Sequence, residues 1–147
     1  MLVYGHDREI AEWVADRIPH VREFSECTGI GIVSQDRLLA GLIYHDYQSA
    51  HGTIQLSMAA VSPMWAKKEN IKELLRYPFE QLKCYKVWTA TPIENDNALK
   101  VNAHIGFRRE ATLAHQFGKK RHAVIMRILR PDYDRIFGEE RNGKIST

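Results

Sequence analysis

Seven histidines are spread along the chain, and their spacing limits the chemistry they can carry. Neither H-x-x-x-H nor H-E-x-x-H occurs, so no pair stands one helical turn apart to share a metal ion, and no metal site is expected. His45-Asp46 is placed for a base role near a strand end, where exposed polar residues are also the ordinary expectation. No G-x-S-x-G elbow marks a serine nucleophile. Lys119-Lys120-Arg121-His122 could meet phosphates, but four basic residues in a turn read first as a solvated hairpin, and nucleic acid is not the expected partner. Cys27 and Cys84 lack C-x-x-C spacing and read as reduced thiols of a cytoplasmic protein.

The elements that must position such groups are legible in the periodicity. Ile10, Trp13, Val14 and Ile18 share one helical face from Asp7 to Ile18, with Asp7 as N-cap, Glu9 in the first turn and Pro19 as the stop. Thr28–Ser34 and Leu38–Tyr47 read as strands joined by a Gln35-Asp36-Arg37 turn. Thr53–Val61 alternates, placing Ile54, Leu56, Met58 and Ala60 on one side. Ile71, Leu74, Leu75, Phe79 and Leu82 form a helical stripe, Asn70 with Glu73 resembles a capping box, and Pro78 should loosen the last turn. Lys86–Thr91 is a strand and Asn95–Ile105 a helix ended by Gly106-Phe107. Two alternating strands follow, Phe107–Phe117 and His122–Leu129.

Bulk properties agree with one folded unit. With 44% hydrophobic and 27% charged residues the composition is globular. The net charge of +3 and pI near 8.9 lean basic without deciding a partner. No apolar run approaches the roughly 20 residues of a membrane span, and Met1–Asp7 has no leader-like pattern, so no membrane association is expected. A single domain over 1–131 with a C-terminal tail over 132–147 is expected, in an α/β (α+β mixed sheet) class with six to seven strands flanked by helices.

N-D-N-A-L-K-V-N-A-H-I-G-F, Asn95 to Phe107, resembles the Asn-containing helix and terminal Gly-Phe of GNAT-fold N-acetyltransferases. Pro63-Met64-Trp65, E-L-L-R-Y-P-F-E-Q-L (Glu73 to Leu82) and K-V-W-T-A-T-P (Lys86 to Pro92) are similar to the branch that acetylates ribosomal-protein N-termini. F-R-R-E at Phe107 to Glu110 continues the match, which covers about Thr53 to Leu129. The short chain also resembles GNAT-related proteins of tailed phages and prophages.

The resemblance implies acetyl-CoA as acyl donor and an amine acceptor that the sequence does not identify. The strand Thr53–Val61 would splay from its neighbour and offer backbone groups at Met58, Ala59, Ala60 and Val61 to pantetheine. The diphosphate would lie over the next helix start, at Asn70 and Ile71, with Lys67 and Lys68 adding positive charge. Asn95 would meet the cofactor arm near the thioester, and a backbone N–H near Val61 would stabilise the oxyanion. The sequence departs from the family pattern in three ways. Its Gln/Arg-x-x-Gly-x-Gly/Ala loop is matched by Ala66, Glu69 and Ile71, with Lys67 where a further Gly is frequent. Asn102 stands where many members keep a Tyr acid. The splayed strand has no Glu, leaving Gln55 and Ser57, with His45, as catalytic candidates.

The expected function is therefore acyl-CoA-dependent N-acyl transfer by direct amine attack, with an ordered water or weak base taking the proton. A non-catalytic GNAT-fold protein that sequesters a CoA derivative, a protein or nucleic acid is the alternative. Transfer to a nucleobase is a third reading, and it would require salt-sensitive binding. A homodimer is compatible with the chain, whose assembly the sequence does not specify.

Overall fold

The computed structural model describes residues 1–138. Seven strands form one sheet in the order β1-β2-β3-β4-β5-β7-β6. They are β1 (Leu2–Val3), β2 (Cys27–Ser34), β3 (Arg37–Gln48), β4 (Thr53–Ala60), β5 (Lys86–Pro92), β6 (Arg108–Leu113) and β7 (Ala123–Leu129). Every neighbouring pair is antiparallel except β4 with β5. The expected mixed sheet flanked by helices is observed. β1, too short to show a periodicity, adds the seventh strand at one edge.

Helices cover both faces. On one face α1 (Asp7–Ala15) packs Ile10, Ala11 and Val14 onto Ile43. On the other lie α2 (Lys68–Arg76), α3 (Asp96–Ile105) and α4 (Arg130–Phe137), whose Leu74, Ile105 and Tyr133 join Leu42, Leu56, Val87 and Met126 in the main core. Buried apolar side chains from both layers supply the main cohesion of such a two-sided sheet. The buried phenols there are satisfied: Tyr44 Oη donates to the Leu74 carbonyl at 2.7 Å, and Tyr133 Oη donates to the Glu80 carboxylate.

Several element boundaries differ from the sequence reading for identifiable reasons. Helix α1 ends at Ala15, earlier than Ile18, and Pro19 stands in a separate turn closed by Val21 N–H to the Ile18 carbonyl. Asp7 is the first helical residue and not the cap; its carboxylate accepts from Gly29 N–H at 2.9 Å and ties α1 to β2. Helix α2 starts at Lys68, and Asn70 forms no capping box: its amide donates to the Trp65 carbonyl at 2.8 Å. Pro78 acts as expected, and Tyr77–Gln81 is a π-helical turn. The segment from 132, expected as a tail, begins inside α4; Tyr133 and Phe137 are in the main core. Residues 139–147 of that segment lie outside the described residues.

Candidate functional site

The parallel pair is where the sheet opens. β4 and β5 are in register only at Thr53↔Lys86, Ile54↔Val87 and Gln55↔Trp88, and beyond Gln55 the two strands separate. β4 stays paired with β3 through Ala60↔Ala40, so its other side faces the gap. Val61 N–H donates to the Leu39 carbonyl at 2.9 Å. Backbone groups of an antiparallel strand alternate between partner and non-partner sides, so Ala59 and Val61 address β3. Met58 and Ala60 turn their N–H and C=O groups into the gap. The expected oxyanion donor at Val61 is thus already committed, and the register moves that role to Ala60 or Met58.

A cleft of about 540 Å3 occupies the gap. Its walls are residues 56–61 of β4 and its exit, residues 89–92 of β5, the first turns of α3, Trp65, and residues 17–20 after α1. The two faces of the sheet contribute differently. Ser57 pairs with Ile43 and so lies on the α1 face, whereas Thr89 and Thr91 follow core Val87 at every second residue and share its α3 face. The cleft therefore passes through the sheet from one face to the other.

The residues expected at the site divide between this cleft and its approaches. Met58, Ala59, Ala60, Val61 and Asn95 line it. Asn95 is the N-cap of α3, its Oδ1 accepting from Ala98 N–H at 3.1 Å, a placement that fixes the helix start at the cleft wall. Lys67, Lys68, Asn70 and Ile71 are outside the lining, one turn beyond Trp65. The start of α2 has no side-chain cap, leaving its first N–H groups open to an anion. Ile71 has no such group to offer: its N–H donates to the Lys67 carbonyl at 2.9 Å and its side chain is core.

The catalytic candidates are separated too. Gln55 is the last β4 residue still paired with β5 and is not in the cleft wall. His45 Nε2 and Ser57 Oγ are 2.8 Å apart and satisfy each other. Ser57 lines the cleft and His45 does not. Burial pushes the His45 imidazole below its ordinary value, partly offset by Asp46.

The sequence reading missed the cleft residues His20, Thr89 and Thr91, and it named Asn102, also in the lining, only as a departure from the family pattern. Pro19-His20 occupies the centre of the turn from Ile18 to Val21, a position Pro favours. The His20 ring lies 4.1 Å from Phe117 of the β6–β7 connection, centroid to centroid. Burial, and then the nearby Arg121 guanidinium, hold its pKa below the usual value, so the ring is neutral at pH 7. Thr89, Thr91 and Asn102 are the buried polar residues of the core. A polar residue at a strand position otherwise reserved for core is the sequence signal that could have found the two threonines. Among the described residues no group of three or more His, Cys, Asp or Glu side chains is placed to hold a metal ion.

No family model matches the chain, and no curated protein does. Solved structures do. Mutant forms of the spermidine/spermine N-acetyltransferase SpeG from Vibrio cholerae superimpose with a TM-score of 0.71 at 15% identity, over 93% of this chain and 98% of that one. A chimera of SpeG from Vibrio cholerae with hSSAT gives a TM-score of 0.70 at 15% identity, over 90% and 98% of the two chains. A structure described as that of a probable acetyltransferase gives 0.62 at 18% identity, over 73% and 63%. The architecture is accordingly the GNAT acetyltransferase fold.

Proposed function

We propose that this chain is an acyl-CoA-dependent N-acyltransferase that uses acetyl-CoA and an amine. The reading is supported chiefly by the parted β4–β5 pair, which leaves the Met58 and Ala60 backbone groups facing a cleft through the sheet. A pantetheine arm carries amides at a spacing that an open strand edge can pair with. The residues fit such a donor at three points. Met58 and Ala60 would bind the arm, the uncapped start of α2 with Lys67 and Lys68 would hold the diphosphate, and Asn95 would border the arm from the start of α3. Acetyl-CoA would supply an activated acyl carbon for the amine to attack. A backbone N–H at Met58 or Ala60 stands ready to stabilise the oxygen charge, and the cleft would hold both reactants together and exclude water.

A non-catalytic binding role is the second reading. It is favoured by Gln55 where a carboxylate is frequent and by Glu69 at the start of α2. Calorimetry with acetyl-CoA and with CoA, followed by thiol release across a panel of primary amines, separates the two. Binding with turnover supports transfer, and binding without turnover supports sequestration. No heat at millimolar acetyl-CoA would sink transfer and leave only the sequestering of a protein or nucleic acid.

A further inference from the structure

Among the described residues three buried side-chain polar atoms have no hydrogen-bond partner: His20 Nδ1, Thr89 Oγ1 and Arg127 Nη1. The first two line the cleft. A buried polar atom left unpaired loses its water without compensation, and native proteins keep few of them. Two in one cleft are explained if the partner is the molecule that binds there.

They also stand on opposite faces of the sheet. The segment carrying His20 packs with α1, since Ile18 and Phe24 lie against Ile10, Val14 and Ile43. Thr89 lies on the α3 face, where Asn102 Nδ2 donates to the hydroxyl of Thr91. The open start of α2 is on this second face too. A donor laid from α2 into the gap brings its sulfur to the Thr89 side and its acyl carbon into the opening. The acceptor is left the His20 side.

We propose that His20 takes the proton of the attacking amine, and that the Thr89 hydroxyl donates a hydrogen bond to the departing sulfur. This rests on the acyl-transfer reading above. The amine nitrogen forms the new C–N bond with its lone pair, and the C–S bond breaks. The nitrogen's proton goes to His20, and the sulfur leaves as a thiolate bonded to Thr89 Oγ–H. The proton then passes from His20 through solvent to the thiolate, giving free thiol and neutral imidazole. No other reactant is consumed.

The surroundings of His20 suit that task. Pro19 holds it in a closed turn, and Phe117 covers one ring face. Arg17 lines the same wall, and Arg121 from the β6–β7 connection, itself bonded to Glu94 at 2.9 Å, is the charge that acts on the ring. Burial first and that cation second favour the neutral ring, ready to accept. Such a weak base suits an amine already partly neutral. At pH 7 about a tenth of a peptide α-amine is uncharged, against fewer than about one in a thousand for a lysine-like amine.

The test uses acetyl-CoA and a short peptide with a free α-amine, scored by thiol release against pH. His20→Gln should lower kcat/KM by about 10²–10⁴-fold, reduce the acidic limb of the profile to the single ionisation of the amine itself, and leave acetyl-CoA affinity by calorimetry within about two-fold. Imidazole in the buffer should restore part of the rate. Thr89→Val, which replaces an unpaired hydroxyl with a methyl, should lower kcat by about ten-fold or more without lowering the melting temperature. His20→Asn is the second variant should His20→Gln melt early. An unchanged acidic limb with activity within about three-fold of the parent overturns the His20 assignment alone. Binding of acetyl-CoA with no turnover on any amine also overturns it and leaves the sequestering reading. Absence of acetyl-CoA binding by the parent overturns the acyl-transfer reading itself.

Discussion

Asn102 donates from Nδ2 to Thr91 Oγ1 at 3.2 Å, and the two buried side chains form a polar wall of the cleft. The pair fixes α3 against β5 next to the Asn95 cap. Thr91→Val keeps the shape and leaves the Asn102 amide without that acceptor. It should cost about 1–3 kcal/mol of stability, read from urea unfolding, whereas Thr91→Ser should cost less than half as much. Equal stability of parent and Thr91→Val would show that the bond contributes nothing.

Backbone direction in β4 makes a second contrast. Ala60 N–H faces the cleft and Val61 N–H is bonded to Leu39. Proline at Ala60 removes a donor from the cleft without touching the β3 ladder, as at an edge strand. It should weaken acetyl-CoA binding by about ten-fold, since one net hydrogen bond is worth about 1 kcal/mol or somewhat more. Val61→Pro should instead lower the melting temperature. Calorimetry and thermal melts on both variants decide it, and identical behaviour of the two would refute the assigned register.

Acid should destabilise the fold in a defined direction. His20 and His45 both have their pKa lowered, in each case first by burial. A group held below its unfolded value near 6.5 stabilises the native state fully above that pH. As pH falls through the folded values that contribution is lost, because the unfolded chain binds more protons. Melting temperature should therefore drop between pH 7.5 and 5.5, and His45→Gln should shrink the drop. An unchanged difference in that variant would remove His45 from the account.

What could be read in the sequence follows from how local each cause is. Strands β2 and β3 announce themselves through their Ile, Val, Leu and Tyr content, β4 through alternation, and the turn at Gln35-Asp36 through its polar residues; both of these adopt positive φ. Gly106 at φ 124 closes α3 as its position after Ile105 implies. Helix α4 was missed although Pro131 at its first turn and the Tyr133–Phe137 spacing are start and face signals. The parting of β4 from β5 came from the resemblance, because strand divergence leaves no periodic mark. Which N–H faces the gap depends on register with β3, and a shift of one residue would exchange Ala60 with Val61. His20 was missed because its place in the cleft wall is a tertiary matter, its ring packing on Phe117 far along the chain.

The approach of α1 to the sheet gives the last expectation. A Cβ on Gly29 would meet Ile10 Cβ at 3.0 Å and the Asp7 backbone at 3.2 Å. Asp7 cannot retreat easily, because its carboxylate holds the Gly29 N–H. Gly29→Ala should thus cost about 1–3 kcal/mol by overpacking. Gly31 is a control on the same strand, since its added Cβ would meet Leu38 Cδ1 at 2.9 Å and Ile10 Cδ1 at 3.0 Å, the movable ends of two side chains. Gly31→Ala should cost less. Helix α1 leads directly into the turn that presents His20, so Gly29→Ala should also lower turnover more than acetyl-CoA affinity. Equal losses for the two glycine variants would mean that α1 can shift freely and does not set the position of that turn.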